Sequence, residues 1–185
     1  MINIISLILI ASALLSTQAA EIIDPGKADK IAIDSVQVSP GSLGQLSIRV
    51  IADDSTFFNE KFWYGIGSFC IPLKYNKTAF SVDSVKFSGT IAAWDEKFTN
   101  SKVDTGFVSL AGIYNIAGEE NAPLHSPDSA EVIARIFFKV DSNAKTGDYH
   151  LELTKDPIQK EMYFGSTDGY HSWKPEFSRG TITVK

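Results

Sequence analysis

The sequence predicts an all-β fold, a sandwich of two antiparallel sheets with about nine strands. Short segments alternate apolar and polar residues with a period of two, which is typical of half-buried strands. Turn residues separate these segments roughly every 8–12 residues. The helical period is missing, and nothing repeats at a period of roughly 20–50 residues, which disfavours a propeller or a solenoid.

The alternation predicts strands within seven stretches of the chain. In the second stretch Leu46, Ile48 and Val50 share one face, while Ser47 and Arg49 share the other. The sixth stretch is predicted as a strand, a tight turn at 142–147 and another strand. In chain order the stretches are 31–38, 45–52, 69–75, 80–87, 107–114, 130–153 and 180–185.

Three residues predict local features of these strands. Pro72 has no N–H for a ladder, so its strand is expected to lie at an edge or to contain a bulge. Gly112 is expected to mark a bulge. Cys70 is the single cysteine, which excludes an intramolecular disulfide, and it is expected to be a buried apolar residue.

The N-terminal residues 1–20 predict a secretory signal peptide. An apolar run at 4–15 is followed by small and polar residues at 16–20, and no charged side chain occurs in either. The run is shorter than the roughly twenty residues of a membrane-spanning helix. We therefore expect a cleaved signal at 1–20, a short lead at 21–30 and one sandwich domain at 31–185. The product is expected to be secreted or periplasmic, without membrane attachment after cleavage.

The charge of the chain excludes two classes of partner. The sequence has 185 residues with 17 basic and 22 acidic side chains, giving a formal net charge of −5. Basic residues form no run of five or more. A nucleic-acid partner or an anionic membrane surface is therefore not expected.

Catalytic signatures are missing from the sequence. It contains no Gly-x-Ser-x-Gly elbow, no His-Glu-x-x-His zinc motif and no phosphate-binding glycine loop. The three histidines lie in separate segments. We expect a protein that is not an enzyme and has no cofactor. Loop carboxylates at Asp53, Asp54 and Asp168 leave a structural calcium ion open, although no spacing selects them.

Two long connections, 53–67 and 155–177, are rich in aromatic residues. Planar side chains that are exposed to solvent stack on sugar rings, so an exposed line of them would favour a polysaccharide ligand. Packing inside the protein is the other explanation, and it is the one we favour for these aromatic residues. The aromatic candidates for a binding surface are Trp63, Tyr64, Trp94, Tyr170 and Trp173.

A second candidate surface is a strand face with mixed apolar and polar side chains. Ile133, Arg135, Phe137 and Lys139 alternate with residues predicted to face the core. A flat face of this composition would favour a protein partner. A third possibility is a structural envelope subunit or adhesin, for which an unpaired edge strand would be expected instead.

Seven segments of the chain together form a recognisable strand pattern: 34–36 with Pro40-Gly41, 45–50, 71–76, 80–85, 134–140, 144–151 and 180–184. Over about 31–184 this pattern resembles that of bacterial cohesin domains. The aromatic segment 57–64 and the long segment 155–177 depart from the family pattern. The resemblance implies a nine-stranded jelly-roll sandwich, a fold that cohesins share with cellulose-binding modules.

The resemblance also implies a function. Cohesins bind dockerin modules on enzymes and so organise polysaccharide-degrading assemblies, while related sandwiches bind glycans directly. The chain is therefore expected to be a secreted, non-catalytic module that binds a dockerin-type protein. Direct polysaccharide binding through the loop aromatics is the alternative.

Overall fold

The fold is described from a computed structural model of the chain. It covers Asp24 and residues 27–53, 56–58, 61–63, 65–115, 121–157 and 160–185, with only the backbone described at 56–58 and 61–63. The predicted signal peptide lies outside these residues.

The described residues form short strands and two 3₁₀ turns, Gly89–Ala93 and Val103–Thr105. The strands are β1 (Lys30–Ile33), β2 (Val36–Val38), β3 (Leu43–Ala52), β4 (Thr56–Phe58), β5 (Lys61–Trp63), β6 (Ile66–Lys74), β7 (Phe80–Phe87), β8 (Glu96–Lys102), β9 (Phe107–Ile113), β10 (Ser126–Val140), β11 (Gly147–His150), β12 (Glu152–Leu153), β13 (Tyr163–Ser166), β14 (Ser172–Trp173), β15 (Glu176–Ser178) and β16 (Thr181–Val184).

Two large sheets make the layers of the sandwich. The first sheet has the order β15-β1-β3-β10-β7. The second sheet has the order β14-β13-β6-β9-β8, with β12 also paired to β6. A smaller third sheet, β11-β16-β2, and the hairpin β4–β5 complete the described strands. The prediction of an all-β sandwich is confirmed.

The core lies between the two large sheets and is rich in aromatic rings. Phe69 of β6 contacts Phe87 of β7 across the layers, with ring centroids 6.4 Å apart. Phe80 and Phe138 pack within the first sheet at 5.4 Å. Each large apolar side chain removed from water stabilises the fold by about 1.5–3 kcal/mol. The largest fully buried side chains are Trp94, Phe69, Phe80, Phe138 and Phe164.

The predicted strand at 31–38 is two strands in different sheets. The chain leaves the first sheet after Ile33 and enters the third at Val36. At this crossing Gly180 approaches so closely that an added Cβ would lie 2.1 Å from the carbonyl oxygen of Asp34. The Thr181 N–H donates to Ser35 Oγ at 3.0 Å. The sequence gives only a weak signal of this break. Asp34 and Ser35 are two polar residues in succession, which interrupts the alternation, but no turn residue marks the point.

The sequence predicts antiparallel sheets, but two of the strand pairs are parallel. β1 pairs with β15 in parallel, and β2 pairs with β16 in parallel. Both pairs join the beginning of the sandwich to its last strands. This arrangement depends on long-range topology, which hydrophobic periodicity does not encode.

The predictions for Pro72 and Gly112 are wrong. Pro72 lies in β6, between β9 on one side and β12 and β13 on the other. Its carbonyl accepts from the Thr154 N–H at 3.1 Å. The missing N–H therefore faces the gap between the end of β12, opposite Leu73, and the start of β13, opposite Cys70, and no ladder bond is lost. Gly112 stays in regular register opposite Phe69 and Lys97, and a Cβ there would lie 2.7 Å from the Phe69 ring.

Candidate functional site

The described tryptophan side chains are buried. Trp94 and Trp173 were candidates for an exposed binding surface, but they pack in the core, as the favoured packing interpretation expects. Trp94 packs on Phe69 with centroids 5.7 Å apart and donates from Nε1 to the Ala122 carbonyl at 2.9 Å. Trp173 donates from Nε1 to Asp29 Oδ2 at 2.8 Å. Their indole N–H groups are satisfied inside the protein, so both rings belong to the core and leave no face for a sugar.

The other aromatic candidates divide into two cases. The side chain of Trp63 and all of Tyr64 lie outside the described residues. Tyr170 is 82% exposed at the turn between β13 and β14. Asp168 Oδ1 holds this turn by accepting from the Tyr170 N–H at 3.0 Å and from Ser166 Oγ at 2.6 Å. Among the described side chains of these candidates, Tyr170 is thus a single solvent-exposed ring. The line of exposed aromatic rings that would favour sugar binding does not form there.

The predicted face on β10 holds with one correction. Val132 pairs with Arg49 and Ala134 with Ile48, so one extra residue, Ile133, is inserted between them. The bulge turns Ile133 inward and buries it completely, so its placement on an exposed face is wrong. Arg135 and Phe137 are half-buried on the outer face, and Lys139 is exposed there.

The outer face of the second sheet carries two large exposed apolar side chains. Phe98 of β8 is 54% exposed and Ile113 of β9 is 40% exposed. Phe98 pairs with Ala111 and Ile113 with Glu96, so the two apolar side chains are diagonal neighbours, about 7–8 Å apart. We define the β8–β9 face as the outward residues Glu96, Phe98, Asn100, Lys102, Ser109, Ala111 and Ile113.

The neighbouring half of this sheet is covered. Cys70 of β6 points outward but is buried beside its strand partner Tyr163. Burial raises the pKa of the Cys70 thiol to about 11, with a further contribution from the charge of Asp156. The same burial raises the pKa of Tyr163. The prediction that Cys70 is a buried residue is confirmed, and the open surface is limited to β8 and β9.

The carboxyl groups with raised pKa values are structural. Asp29 is 2% exposed, and burial followed by the charge of Asp24 raises its pKa to about 7. Its Oδ1 accepts from the Asp53 N–H at 3.0 Å, while Oδ2 accepts from Trp173. Burial also raises the pKa of Asp24 to about 6. The Asp29 carboxylate is thus surrounded by backbone and indole N–H donors. It holds the N-terminal lead in place and is not accessible to a substrate.

The loop carboxylates considered for calcium have other partners. Asp53 Oδ2 accepts from the Lys27 N–H at 2.6 Å, and Asp168 holds the Tyr170 turn. Asp54 lies outside the described residues. In the part of the chain that is described, no three His, Cys, Asp or Glu side chains are grouped to hold a metal ion. Over the same residues, no helix has the length and apolar content needed to cross a membrane.

The sequence gives little indication of the β8–β9 face. β8 reads Glu-Lys-Phe-Thr-Asn-Ser-Lys, and its single large apolar residue points away from the core. The inward side of β8 therefore shows no apolar pattern, since Lys97 is half-buried and Thr99 and Ser101 are exposed at the sheet edge. The available signal is Phe98 itself, an aromatic residue within a β-compatible polar segment. β9 was predicted, but its outward Ile113 was not singled out.

A family model for the Cohesin domain matches residues 30–184. Solved structures with the same fold include the seventh ScaB type I cohesin from Pseudobacteroides cellulosolvens, at 23% identity and a TM-score of 0.64, covering 85% of this chain and 92% of that chain. The third cohesin of ScaC in complex with the ScaB dockerin, from Acetivibrio cellulolyticus, is similar at 20% identity and a TM-score of 0.66, covering 84% and 98%.

A more distant match is the non-cellulosomal cohesin from the archaeon Archaeoglobus fulgidus, at 15% identity and a TM-score of 0.60, covering 86% of this chain and 92% of that chain. No curated protein sequence matches the chain. The family model spans most of the sequence, and the structural matches share the sandwich described above. The chain belongs to the Cohesin domain family.

Proposed function

We propose that this cohesin domain is a non-catalytic module that binds a dockerin-type protein through the β8–β9 face. The exposed pair Phe98 and Ile113 carries the proposal, because both are large apolar side chains on one flat, ordered surface. Family membership supports the class of partner, and the Acetivibrio cellulolyticus cohesin is a solved example in complex with a dockerin.

The composition of the β8–β9 face suits a protein partner. Ser109 and Ala111 are small and half-buried, so the centre of the face is flat. Glu96, Asn100 and Lys102 surround the apolar pair with both charges and an amide. An apolar centre with a polar rim is the usual plan of protein interfaces, where aromatic anchors contribute most of the binding energy.

Burial of the indoles argues against the polysaccharide alternative. Trp94 and Trp173 are both in the core, and among the side chains that the structure describes Tyr170 alone gives no extended platform. The exposed apolar side chains Phe98 and Ile113 lie instead on two adjacent strands. A protein surface with complementary shape covers such a face better than a sugar chain does.

We propose further that residues 1–20 direct the chain out of the cytoplasm. The apolar run without charged side chains supports this step. Mass spectrometry of the product from the periplasm or the medium should give a mature chain that starts after Ala19 or Ala20. A mature product that still begins at Met1 would contradict export by cleavage.

Calorimetric titration against dockerin-type modules from the organism that encodes the chain tests the partner. The double variant Phe98→Ser, Ile113→Ser should weaken binding at least about 30-fold, the loss expected when interface anchors are removed. Leu43→Ser is the matched control, because Leu43 is 77% exposed on the first sheet. Its affinity should change less than about 3-fold.

Three outcomes would overturn the proposal. One is the absence of binding by every module in the panel at micromolar concentration. Another is an equal loss in the double variant and the Leu43 control. The third is release of reducing sugar from a polysaccharide by the purified chain, which would contradict the non-catalytic assignment.

A further inference from the structure

The outer face of the first sheet concentrates positive charge in an acidic protein. We define the cationic face as Lys86, Arg135, Phe137 and Lys139, which lie on the paired strands β7 and β10. Arg135, Phe137 and Lys139 alternate with the buried residues Ile136 and Phe138, so they point away from the core. The chain as a whole carries a net charge of −5.

Two of these cations face each other across the strands. Arg135 is the direct register partner of Lys86. Like charges in directly opposite positions destabilise an antiparallel pair. The partners of Arg135 and Phe137 on the other side are Ser47 and Gln45 of β3, which are uncharged. The sheet thus holds two like charges in directly opposite positions on this face.

Acidic side chains nearby do not neutralise the face. Asp34 is engaged with Arg49 Nε at 2.8 Å, further along β3. Asp83 is exposed at the register shift of β7. Within the described residues, no ion pair joins Lys86, Arg135 or Lys139 to a carboxylate. The three cations are therefore available to an external anion.

Phe137 places an aromatic ring between these charges. The Lys86 ammonium lies 5.4 Å from the centroid of the ring. Phe137 is half-buried with its edge and outer surface at the centre of the face, and Lys139 lies two residues further along the same strand. Arg135 and Lys139 are four residues apart on β10, a separation of about 13 Å along the strand.

We propose that the cationic face binds a carboxylated polysaccharide of the polyuronate type. Carboxylates of such a chain complement the three cations, and its sugar rings pack beside Phe137, whose ring the Lys86 ammonium approaches. A sheet face offers no free backbone N–H or C=O groups, so an extended peptide has no main-chain ladder to form there. A polymer held by charge and ring contacts fits the surface better.

This face is separate from the β8–β9 face. The two belong to different sheets of the sandwich, so one molecule can hold a protein partner on one layer and a polyuronate on the other. The proposal does not depend on the dockerin partner. The two binding activities can be removed independently by substitution.

Affinity electrophoresis in gels that contain polygalacturonate tests the inference. The wild-type chain should be retarded, and salt should weaken the retardation because the contacts are charged and exposed. The double variant Lys86→Gln, Arg135→Gln should lose at least about tenfold in affinity, as expected for removal of two charge-assisted contacts. It should be no less stable than wild type, since it relieves the like-charge pair.

Matched controls make the outcome specific. Lys145→Gln removes one exposed charge from the turn after β10 and should leave the retardation unchanged. The Phe98→Ser, Ile113→Ser variant should also be retarded normally. The inference is overturned if wild type is not retarded, if the double variant is retarded equally, or if fully methyl-esterified polygalacturonate or polyglutamate retards the chain as strongly.

Discussion

The indole N–H of Trp173 donates to the carboxylate of Asp29 at 2.8 Å, joining residues that are 144 positions apart. Asp29 also receives the Asp53 N–H, and its own N–H donates to Asp24 Oδ2 at 2.7 Å. The N-terminal lead, the end of β3 and strand β14 therefore meet at one buried carboxyl group. Each of these elements depends on the other two for its position.

The first prediction concerns pH. The pKa of Asp29 is about 7 in the folded protein and 3.8 in an unfolded chain, so the folded state holds more protons between these values. Stability must therefore fall as pH rises from about 4 to about 7, and it should level off above that range. Asp24, with a pKa of about 6, acts in the same direction.

Urea unfolding followed by fluorescence between pH 4.5 and pH 8 measures this slope. Asp29→Asn should make the slope shallower, because the variant carries no proton to lose. Asp83→Asn is the control, since Asp83 is an exposed carboxylate on β7. A slope of the same steepness in Asp29→Asn and wild type would assign the pH dependence to other groups.

The second prediction isolates the hydrogen bond itself. Trp173→Phe keeps an aromatic ring in the core but leaves Asp29 Oδ2 without its donor. An unsatisfied buried acceptor costs about 1–3 kcal/mol, so the free energy of unfolding should fall by that amount. Tyr170→Phe, at the exposed turn next to β14, should change it by less than about 0.5 kcal/mol. Equal stability of Trp173→Phe and wild type would show that the bond contributes nothing.

The third prediction concerns the tight packing at Gly112. A methyl group there would lie 2.7 Å from the Phe69 ring and 3.1 Å from the Trp94 ring. Gly112→Ala should therefore destabilise the fold by about 1–3 kcal/mol through overpacking. Chemical denaturation compares it with Ser109→Ala on the outer side of the same strand, which should be nearly neutral. A neutral Gly112→Ala would mean that the rings can move aside.

The fourth prediction tests the bulge in β10. Ile133→Ala removes a completely buried side chain and should cost about 2–5 kcal/mol in unfolding free energy. Phe137→Ala, four positions along on the outer face, should cost clearly less although it removes more atoms. Thermal or urea unfolding of both variants decides the matter. The reverse order would place Ile133 outside and Phe137 inside, contrary to the register.

The strongly alternating strands were predictable from the sequence. Leu46, Ile48 and Val50 of β3 are all buried, and β10 and β11 lie on either side of the predicted turn, although the two strands belong to different sheets. The pattern failed where a single residue changed the register. Ile133 looks like an outward residue until the bulge before Ala134 is known, because periodicity assumes an unbroken ladder.

The candidate site was harder to predict than the fold. Trp94 and Trp173 were candidates for an exposed surface because an indole has a polar N–H group, but these N–H groups find Ala122 and Asp29 as partners. Such partners are distant in sequence and leave no local signal. Phe98 was missed because β8 buries almost no side chains and therefore shows no apolar alternation. The exposure of Phe98 follows from the position of β8 at the edge of its sheet.

The parallel pairings of β1 with β15 and of β2 with β16 have a mechanical consequence. In a parallel pair, the start of one strand and the end of the other lie at opposite ends of the ladder. Tension between Val36, at the start of β2, and Lys185, just after β16, therefore loads the hydrogen bonds of these two strands side by side, in shear. Bonds loaded in this way share the force, so this ladder resists separation more than one that opens from an end.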